Sequence, residues 1–537
     1  LLHPNVYSWN VLLHGYGKHG SLADARSVFE RIPHPDVCSW NTLIKLVSQH
    51  SCLDDTKFVF GMIPYRNVVS WNAMISAAVR PKDSFDDAFQ FFIQMIVEGI
   101  QPDKFTFVSV IDACTGLLNL QMGKIIHVVV ISAGCEQDLL VGTALVNMYG
   151  KCGQSSLATV VFRTMPCPDD VAWTAMMASF SHNDLGKEAL DVFYMMLHRG
   201  IKADVVTYVC ALNACSSFGV VNEGKEIHSA VVELQLETNH VICSALVDMY
   251  GKCGSLSDAR CIFGNMSYHD PVTWTVMICS YAQNHENDEA LHLFYQMICK
   301  GFHPDAITFI CALDACANLP KLDDGQVIHS AILEMVLEND IVISNNLVNM
   351  FGKCGCPLES KKVFERMPFK NILSWNTMIG TFALNGHCKE AFLLFDRMQI
   401  EGIKPDDVTY LSILSTCSHG GDVQNGCYVF TSMNQYYGMG YTKDHYVCVI
   451  DLLGRAGHLE EAEIFIKSIP SLSDLPMAWL CLLGASKTHG DINRGVRAGK
   501  CCVNLDPKDP APCVALLNFY SEMGESEDIG NLQEASA

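Results

Sequence analysis

Apolar residues recur along the chain at helical spacing. In the stretch "GSLADARSVFERIP" they fall three or four positions apart and share one helix face: Ala25, Val28, Phe29 and Ile32. A second kind of helix precedes such stretches and is predicted to begin at a Ser or Thr just before an aromatic residue, as in "SWNTMIGTFALNG". A lone helix pair cannot bury its apolar face, so the pattern predicts pairs stacked into an all-α solenoid.

Short signals mark the ends of the second helix of each pair. Ser21 with Asp24, and Ser255 with Asp258, resemble capping boxes that satisfy the first backbone N–H groups of a helix. Prolines follow this helix and are expected to stop it, because proline lacks the N–H that a helix interior uses. These prolines are Pro33, Pro64, Pro166, Pro368 and Pro470.

Aromatic residues give the register of a repeat. All seven tryptophans lie in one local context, and Phe or Tyr fills the same slot elsewhere. Alignment on this slot divides the chain into repeats that start at residues 6, 37, 68, 104, 139, 170, 205, 240, 271, 306, 341 and 372. Two repeats of equal length and a shorter third one form a triplet that recurs along the chain. The period of this triplet separates "NMYGKCG" at 147 from "DMYGKCG" at 248 and "NMFGKCG" at 349.

Composition narrows the class of protein. Of the 537 residues 49% are hydrophobic, which is ample for a buried core, and no apolar run reaches the 18 residues of a membrane span. The net charge of −22 argues mildly against a polyanionic partner. Most of the 25 cysteines fall in apolar helical stretches, and none is three residues from another. We therefore expect small packing residues in a reduced protein, not a disulfide scaffold or a zinc site.

The repeats resemble a known family. "WNTMI", "MYGKCG" and "GIKPD", in helical hairpins of two alternating lengths, resemble plant pentatricopeptide repeat proteins, and the triplet resembles their PLS subclass. The resemblance implies a right-handed superhelix of helix-turn-helix repeats over 1–406. Residues 407–474 resemble the last long and short motifs of that subclass, and 475–537 resemble its E extension without a deaminase domain. Because 521–537 lacks the usual basic helix, this extension is expected to be truncated.

The resemblance also implies single-stranded RNA binding with one base read per repeat. In the family the readers are the fifth residue, just after the aromatic slot, and the last residue of each repeat. Fifth-position Asn implies a pyrimidine and Ser or Thr a purine, while last-position Asp implies U or G and Asn implies C or A. The candidate base-reading pairs are Asn10/Asp36, Asn41/Asn67, Asn72/Asp103, Thr143/Asp169, Thr174/Asp204, Ser244/Asp270, Thr275/Asp305, Asn345/Asn371 and Asn376/Asp406.

A competing interpretation is that these polar residues only cap helices. The repeats that start at 104, 205, 306 and 407, called the long repeats below, argue against it. Their fifth residues are Val108, Val209, Ile310 and Leu411, which cannot hydrogen-bond a base. This segregation favours base reading and predicts that the long repeats act as spacers. The implied target is 5′-U-C-U-n-G-G-n-R-G-n-C-U.

Two further positions carry open alternatives. The second residue of a repeat is mostly aliphatic and would either wedge between bases, as in the family, or pack between helices: Val69, Leu140, Val171, Val241, Val272, Val342 and Leu373. The thirteenth residue is often basic and would bind RNA phosphates, favour a helix C-terminus, or do both. These candidate phosphate-binding residues are Lys18, Arg80, Lys151, Lys252, Lys353 and Arg455.

Other signals are rejected. "GVVNEGK" (219–225) resembles a phosphate loop, but Glu226 replaces the Ser or Thr that binds magnesium and no strand precedes it. His127, His228 and His329 recur at the triplet period without clustered partners, which indicates a repeated structural role. The single H-x-E, His458 to Glu460, lacks the P-C-x-x-C of a zinc deaminase. We therefore predict no catalytic residue, no metal site and no cofactor.

The functional expectation is a non-enzymatic, sequence-specific binder of single-stranded RNA in a mitochondrion or chloroplast. By the resemblance it would specify cytidines for C-to-U editing and recruit a deaminase in trans through its C-terminal region. The alternatives are an RNA binder for transcript stability, splicing or translation, and a tetratricopeptide-like protein scaffold, which the negative charge favours. Neither a membrane nor a small-molecule substrate is expected. Because the chain begins with Leu1 inside a repeat, a targeting peptide is expected to lie outside it.

Overall fold

A computed structural model describes residues 5–19, 22–80, 85–505 and 514 of the chain. Every regular element within these residues is a helix. Contacts divide the chain into two compact units, residues 1–277 and 278–537. The helices up to the end of the first unit are α1 (Val6–His19), α2 (Leu22–Glu30), α3 (Val37–His50), α4 (Leu53–Gly61), α5 (Val68–Val79), α6 (Phe85–Val97), α7 (Lys104–Gly116), α8 (Leu120–Ser132), α9 (Leu139–Lys151), α10 (Ser155–Thr164), α11 (Asp170–His182), α12 (Gly186–His198), α13 (Val205–Phe218), α14 (Val221–Glu233), α15 (His240–Lys252), α16 (Leu256–Asn265) and α17 (Pro271–Gln283), inside which the first unit ends.

The second unit continues the same alternation. Its helices are α18 (Asn287–Cys299), α19 (Ala306–Asn318), α20 (Leu322–Glu334), α21 (Ile341–Lys353), α22 (Pro357–Arg366), α23 (Ile372–Leu384), α24 (Cys388–Ile400), α25 (Asp407–Gly420), α26 (Val423–Tyr437), α27 (Lys443–Arg455), α28 (Leu459–Ser468), α29 (Pro470–Ser473), α30 (Pro476–His489) and α31 (Ile492–Leu505). The second half of the proposed E extension, from 511 to 524, lies outside the described residues apart from Val514.

Stacked helix pairs build each unit. The first helices of successive repeats pack side by side, as α7 does on α9 and α21 on α23, and first helices also pack on the second helix of their own pair, as α9 does on α10 and α21 on α22. This arrangement confirms the predicted all-α stack of helix pairs. Within each unit it places the first helices in a row, so equivalent residues of successive repeats become neighbours.

The first helices begin earlier than the sequence pattern predicted. The N-cap is the last residue of the preceding repeat, and the Ser or Thr before the aromatic is the third helical residue. At α7, Oδ1 of Asp103 accepts the N–H of Thr106 at 2.9 Å, and Oγ1 of Thr106 accepts the N–H of Asp103 at 3.1 Å. The predicted start was wrong because both members of such a capping box are residues typical of helix starts. The same box forms at Asp36, Asn67, Asp204, Asn371 and Asp406.

The second helices follow their predicted limits in part. The helix α10 ends at Thr164, two residues before Pro166, as expected. Pro470 instead opens α29 as its first residue. Ser255 precedes α16 but donates to the carboxylate of Asp258 at 2.8 Å, and makes no side-chain hydrogen bond to the helix backbone. Ser21 lies outside the described residues.

The aromatic slot forms the core between repeats. Trp71, Trp173, Trp274 and Trp375 are at most 1% exposed. Each receives a Phe from the end of the preceding second helix, always at the same sequence spacing, in an edge-to-face contact. The ring centroids lie 4.7 Å apart for Phe60 and Trp71, and 5.0 Å apart for Phe364 and Trp375. Such pairs add directional packing to simple burial, which explains why the tryptophans gave a reliable register.

The motif "NMYGKCG" ends a first helix. Gly153 has φ +76°, a left-handed conformation that closes α9 and that side chains with a Cβ rarely adopt. Gly150 has a different role, because a Cβ there would lie 2.6 Å from Cβ of Ser179 on α11. Gly150 therefore brings two first helices close together. The motif serves helix packing and chain reversal.

One cysteine pair departs from the expected reduced state. Cys279 of α17 and Cys311 of α19, both in the second unit, form a disulfide with their Cα atoms 5.4 Å apart. Cys114, Cys215, Cys316 and Cys417 are free thiols and are buried as expected. Among the described residues, no helix combines the length and apolarity that crossing a bilayer requires.

Candidate nucleic-acid interface

The fifth and last residues of a repeat meet at the start of the next first helix. The side-chain amide of Asn72 donates to Oδ1 of Asp103 at 2.9 Å, and that of Asn376 donates to Oδ1 of Asp406 at 2.9 Å. The contacts of Asn10 with Asp36 (3.2 Å) and of Asn41 with Asn67 (3.3 Å) are similar. Four of the nine predicted pairs are thus joined directly, although their members lie almost a whole repeat apart in the sequence.

A third residue completes each of these clusters, and sequence reasoning missed it. It is the Ser or Thr at the third helical position of the next repeat. The hydroxyl of Thr106 donates to Oδ1 of Asn72 at 2.5 Å, and Ser39 and Ser70 contact Asn10 and Asn41 in the same way, at 2.7 and 2.6 Å. The signal was visible as the Ser or Thr before each aromatic, but it was interpreted as the helix start.

The cluster fixes the orientation of the reading amide. A carboxylate only accepts hydrogen bonds, so the Asn72 side chain must turn its NH₂ group toward Asp103 and its oxygen toward the hydroxyl of Thr106. One N–H and one lone pair of the amide remain for a ligand. A neighbouring donor and acceptor of this kind match the edge of a nucleobase.

Hydroxyl readers form a chain instead of a direct pair. Oγ1 of Thr174 lies 3.0 Å from Oγ1 of Thr207, whose hydroxyl donates to Asp204 at 2.6 Å. Ser244 is linked to Asp270 in the same manner through Thr273, with an Oγ–Oγ1 distance of 2.8 Å. The carboxylate therefore acts on these readers through the intervening hydroxyl.

Two predicted pairs, Thr143/Asp169 and Asn345/Asn371, are not brought together in this way. Ala172 takes the place of the hydroxyl beside Thr143, and Asp169 accepts only the N–H of Ala172, at 2.9 Å. Asn345 is 6% exposed and its Oδ1 has no hydrogen-bond partner among the described residues. Asn371 instead accepts the hydroxyl of Ser374 at 2.9 Å.

The members of the remaining pair, Thr275 and Asp305, belong to different compact units, and each has contacts within its own unit. Oγ1 of Thr275 donates to the carbonyl of Pro271 at 3.0 Å in the first. Asp305 accepts the N–H of Thr308 at 2.8 Å in the second.

The last-position aspartates also cap the following helix, so the capping interpretation holds for them. It does not hold for the fifth positions, which lie inside the first helix. Burial raises the pKa of the aspartate carboxyl groups, but hydrogen bonds from the next helix start outweigh it and hold the pKa below the ordinary value. A carboxylate is thereby guaranteed at neutral pH. The residues with this lowered pKa are Asp36, Asp103, Asp204, Asp270 and Asp406.

Aliphatic second residues border the clusters and point to solvent. They are between 44% and 60% exposed: Val69, Leu140, Val171, Val241, Val272, Val342 and Leu373. Residues that packed between helices would be buried, so the packing alternative does not account for them. A groove of about 330 Å³ lies between two of them, Val342 and Leu373, and is also lined by Asn345 and Lys353. The fifth residues of the long repeats are half-buried aliphatics.

The thirteenth-position cations end their helices and are exposed, as Lys151 and Lys252 show. Arg80 donates to the carbonyl of Ser48 at 3.1 Å, and Lys353 to Oδ1 of Asn318 at 3.1 Å. The side chain of Lys18 lies outside the described residues. Arg455 is considered below with its carboxylate partner.

The thirteenth-position count missed one groove cation. In the repeat that starts at 37, the basic residue is Lys45, which stands at the ninth position and not at the thirteenth. Lys45 lines a groove of about 820 Å³ together with the candidate reader Asn41 and the second-position residue Val69.

The rejected motifs have structural roles. "GVVNEGK" connects α13 to α14, and Lys225 pairs with Asp258 at 3.2 Å. Nδ1 of His127 lies 2.9 Å from the hydroxyl of Tyr149, and that of His228 lies 3.0 Å from Tyr250. These bonds tie the second helix of a long repeat to the next first helix.

Comparison with known proteins places these repeats in a family. The family described as "PPR repeat family" matches residues 66–116, 168–217, 269–318 and 370–419, and the one described as "PPR repeat" matches 7–34, 241–270, 342–372 and 444–472. These intervals fall in the register derived from the tryptophans.

Whole-chain comparisons agree. In Arabidopsis thaliana, pentatricopeptide repeat-containing protein At2g13600 is 37% identical over 99% of this chain and 81% of its own length. At1g03540 is 35% identical over 83% and 73%, and the chloroplastic At3g57430 is 36% identical over 82% and 51%, so the chain spans only about half of that relative.

Among solved structures, the maize pentatricopeptide repeat protein PPR10 superposes with a TM-score of 0.56 at 16% identity, covering 99% of this chain and 90% of its own. PPR10 in complex with an 18-nt psaJ RNA element gives 0.64 at 15% identity, covering 99% and 84%. The fold and the sequence lead to the same conclusion: the chain belongs to the plant pentatricopeptide repeat family.

Proposed function

We propose that this protein binds single-stranded RNA in a sequence-specific manner and reads one base with each repeat that carries a polar fifth residue. The observation that carries the proposal is the recurring cluster of Asn, Asp or Asn, and Ser or Thr at the junction of successive repeats. It holds an amide in one orientation, as for Asn72 and Asn376, and leaves one N–H and one lone pair of that amide for a ligand. The equivalent Asn41 lines an open groove.

The surroundings of the cluster suit a nucleotide. Exposed aliphatic side chains such as Val342 and Leu373 offer apolar surface on which bases can stack. Cations at the ends of the first helices lie where the sugar-phosphate backbone would pass. The similar PPR10 structure is a complex with an 18-nt psaJ RNA element, which supports RNA as the ligand class.

The order of readers defines the proposed target. Asn with Asp or Asn selects U or C, Thr with Asp selects G, and Ser244 with Asp270 selects a purine. The long repeats that lie between the readers carry Val108, Val209 and Ile310 at the fifth position and contribute spacing only. The resulting sequence is 5′-U-C-U-n-G-G-n-R-G-n-C-U.

We further propose that binding specifies a cytidine for C-to-U editing in a mitochondrion or chloroplast, by a deaminase recruited in trans. The PLS-like triplet and the E-like helices α30 and α31 support this proposal, and two of the relatives in Arabidopsis are named chloroplastic. Loss of editing at one organellar site in plants that lack the protein would test the editing role.

RNA reading itself is tested by fluorescence anisotropy with the proposed 12-nucleotide RNA and a scrambled RNA of equal composition. We expect tight binding to the first and weak binding to the second. The Thr174→Asn variant keeps Asp204 and Thr207 and is expected to prefer U over G at its nucleotide. Equal affinity of the wild type for both RNAs would overturn the proposal, and an unchanged preference in the variant would remove Thr174 from the readers.

A further inference from the structure

The ninth residue of a repeat lies between its reader and its cation. Positions two, five, nine and thirteen share one face of the first helix, because they are three or four residues apart. In the repeat that starts at 341, these positions are Val342, Asn345, Asn349 and Lys353, and all four line the same groove. The charge of the ninth residue therefore acts directly on the nucleotide site.

Two of the groove cations are paired with a carboxylate at this position. Nζ of Lys252 lies 2.9 Å from Oδ2 of Asp248, and Nε of Arg455 lies 2.8 Å from Oδ2 of Asp451. Both pairs are one helical turn apart on the same first helix. Each cation thus approaches the groove with a carboxylate already beside it.

For two other cations, Lys151 and Lys353, the aspartate that they influence electrostatically stands on the preceding long repeat. Asp112 is the ninth residue of α7, which packs on α9 and its Lys151. Asp314 stands in the same position on α19, which packs on α21 and its Lys353. Burial raises the pKa of the Asp112 carboxyl above its ordinary value, and the charge of Lys151 opposes this shift in part. The same holds for Asp314 and Lys353.

The two arrangements exclude each other along the chain. Where the long repeat supplies Asp112 or Asp314, the ninth residue of the short repeat is Asn147 or Asn349. Where the short repeat supplies Asp248 or Asp451, the long repeat has Asn213 or Ser415. Each of the four cations Lys151, Lys252, Lys353 and Arg455 thus has one aspartate at these two positions, whereas Arg80 has Ser76 and Lys45 there. In the other repeats up to 406 the ninth residue is not acidic: His14, Lys45, Ser76, Ala178, Cys279 and Gly380.

Hydroxyl groups hold two of the carboxylates in place. Oγ of Ser216 donates to Oδ2 of Asp248 at 3.2 Å, and Oγ of Ser418 donates to Oδ2 of Asp451 at 2.5 Å. Both serines lie on the preceding long repeat. The carboxylates are therefore fixed parts of the groove.

We propose that Asp112, Asp248, Asp314 and Asp451 act as attenuators of RNA binding, which offset the neighbouring cations and keep sequence-independent attraction to phosphates weak. The inference rests on the proposed function and adds affinity-limiting residues to it. When a lysine or arginine already has a carboxylate beside it, its contact with a phosphate releases less than one counterion from the RNA. Base contacts then decide which RNA is bound at a given concentration. The mechanism fits a chain whose formal net charge is −22.

The test moves one carboxylate between its two possible positions. Asp248→Asn removes it, Asn213→Asp adds a second one, and the double variant D248N/N213D returns the count to one in the arrangement found at Lys151. Glu233→Gln is the matched control, because it changes the net charge as Asp248→Asn does, at an exposed residue of the second helix α14.

Affinity for the proposed and the scrambled RNA is measured between 0.1 and 1 M salt. Asp248→Asn is expected to bind both RNAs about fivefold more tightly at 0.1 M and equally at 1 M, since one added phosphate contact steepens the salt slope by about 0.7. Asn213→Asp is expected to bind more weakly, and the double variant and Glu233→Gln to bind like the wild type.

Weaker or unchanged binding by Asp248→Asn would overturn the attenuator role. Stronger binding by Glu233→Gln to the same extent would also overturn it, because net charge alone would then explain the effect. A wild-type protein that discriminates the two RNAs keeps the proposed function in either case. Failure of the wild type to discriminate them would instead remove the proposed function, on which the inference rests.

Discussion

The hydroxyl of Thr409 donates a hydrogen bond to Oδ1 of Asn376 at 2.5 Å, although the two residues belong to successive repeats. The same hydroxyl contacts Oδ1 of Asp406 at 2.8 Å, and the amide of Asn376 donates to that carboxylate. The start of one repeat thus orients the reader of the repeat before it. The base preference proposed for one repeat therefore depends on residues of two successive repeats.

Removal of the orienting hydroxyl is expected to weaken base discrimination. Thr409→Val leaves Oδ1 of Asn376 without its donor, at a cost of about 1–3 kcal/mol if the amide stays buried. We expect the preference for U over other bases at this nucleotide to fall about tenfold. Anisotropy titrations with the four base variants of the RNA measure it.

Thr431→Val is the matched control for this experiment. Its hydroxyl bonds only to the carbonyls of Cys427 and Tyr428 on its own helix. An equal loss of discrimination in both variants, or no loss in Thr409→Val, would contradict the orienting role.

Addition of the missing hydroxyl is expected to sharpen one reader. At the junction after the repeat that starts at 139, Ala172 of the next repeat stands where other repeats have the linking Ser or Thr, and Asp169 accepts its backbone N–H. Ala172→Ser would allow the chain of hydroxyls seen at Thr174, worth about 0.5–1.5 kcal/mol. The preference for G at that nucleotide should rise two- to tenfold, as anisotropy titrations can measure. Ala158→Ser is the control, because it makes the same change at a buried position of the second helix α10. A rise in both variants would contradict the prediction.

An ion-pair cluster fastens the C-terminal helices. Glu463 of α28 accepts Nε of Arg494 at 2.8 Å and Nη2 of Arg497 at 2.9 Å on α31, and Nζ of Lys467 at 2.8 Å. Burial raises the pKa of Glu463, but these cations outweigh it and lower the pKa to about 2. A carboxyl group with a lowered pKa stabilises the fold above its ordinary pKa, near 4.3, and loses that contribution as pH falls toward 2.

Glu463→Gln is therefore expected to destabilise the packing of α31 at pH 7 by up to about 3 kcal/mol, and by much less near pH 2. Amide hydrogen exchange of α31 measures the local free energy. Glu460→Gln on the same helix, an exposed residue, is the control. If the loss of local stability in Glu463→Gln were as large near pH 2 as at pH 7, packing and not the ion pairs would hold α31 in place.

One histidine lacks the partner that its equivalents have. His127 and His228 bond to tyrosine hydroxyls, whereas His329 meets the ring of Phe351 with centroids 5.5 Å apart. Burial lowers the pKa of His329, so the imidazole is neutral at pH 7. A neutral imidazole can form one hydrogen bond with a tyrosine hydroxyl. Phe351→Tyr is expected to stabilise the fold by about 1 kcal/mol.

The reverse change, Tyr149→Phe, serves as the matched comparison and is expected to destabilise by a similar amount. Thermal unfolding midpoints of the two variants measure both effects. A lower midpoint for Phe351→Tyr would show that the hydroxyl does not fit.

The disulfide between Cys279 and Cys311 is expected to stabilise the second unit. The two residues are 32 positions apart, and a covalent loop of that length lowers the conformational entropy of the unfolded chain by an amount worth about 4 kcal/mol. Dithiothreitol should therefore lower the unfolding midpoint of the wild type and leave that of Cys279→Ser unchanged. Peptide mapping without reduction identifies the bond, and an equal response of both proteins to the reductant would exclude it.

The local patterns of the sequence were sufficient for the helix pairs and their register. Buried tryptophans such as Trp71 and Trp375 have a fixed spacing because each fills the same contact between repeats. The helix starts were less predictable, since Asp103 and Thr106 are both typical of that position and only the hydrogen bonds distinguish N-cap from third residue. The pairing of Cys279 with Cys311 depends on the distance between two helices, which spacing along the chain does not reveal.

The sequence by itself determined the repeat, the family and the identity of the candidate readers, because these follow from residue types at fixed intervals. Only the tertiary structure decided which side chains meet across repeats. It joined Asn376 to Thr409, left Oδ1 of Asn345 without a partner among the described residues, and set Asp248 beside Lys252. The physical reason is that hydrogen bonds and ion pairs depend on ångström distances between helices, and stacking alone brings residues of successive repeats within that range.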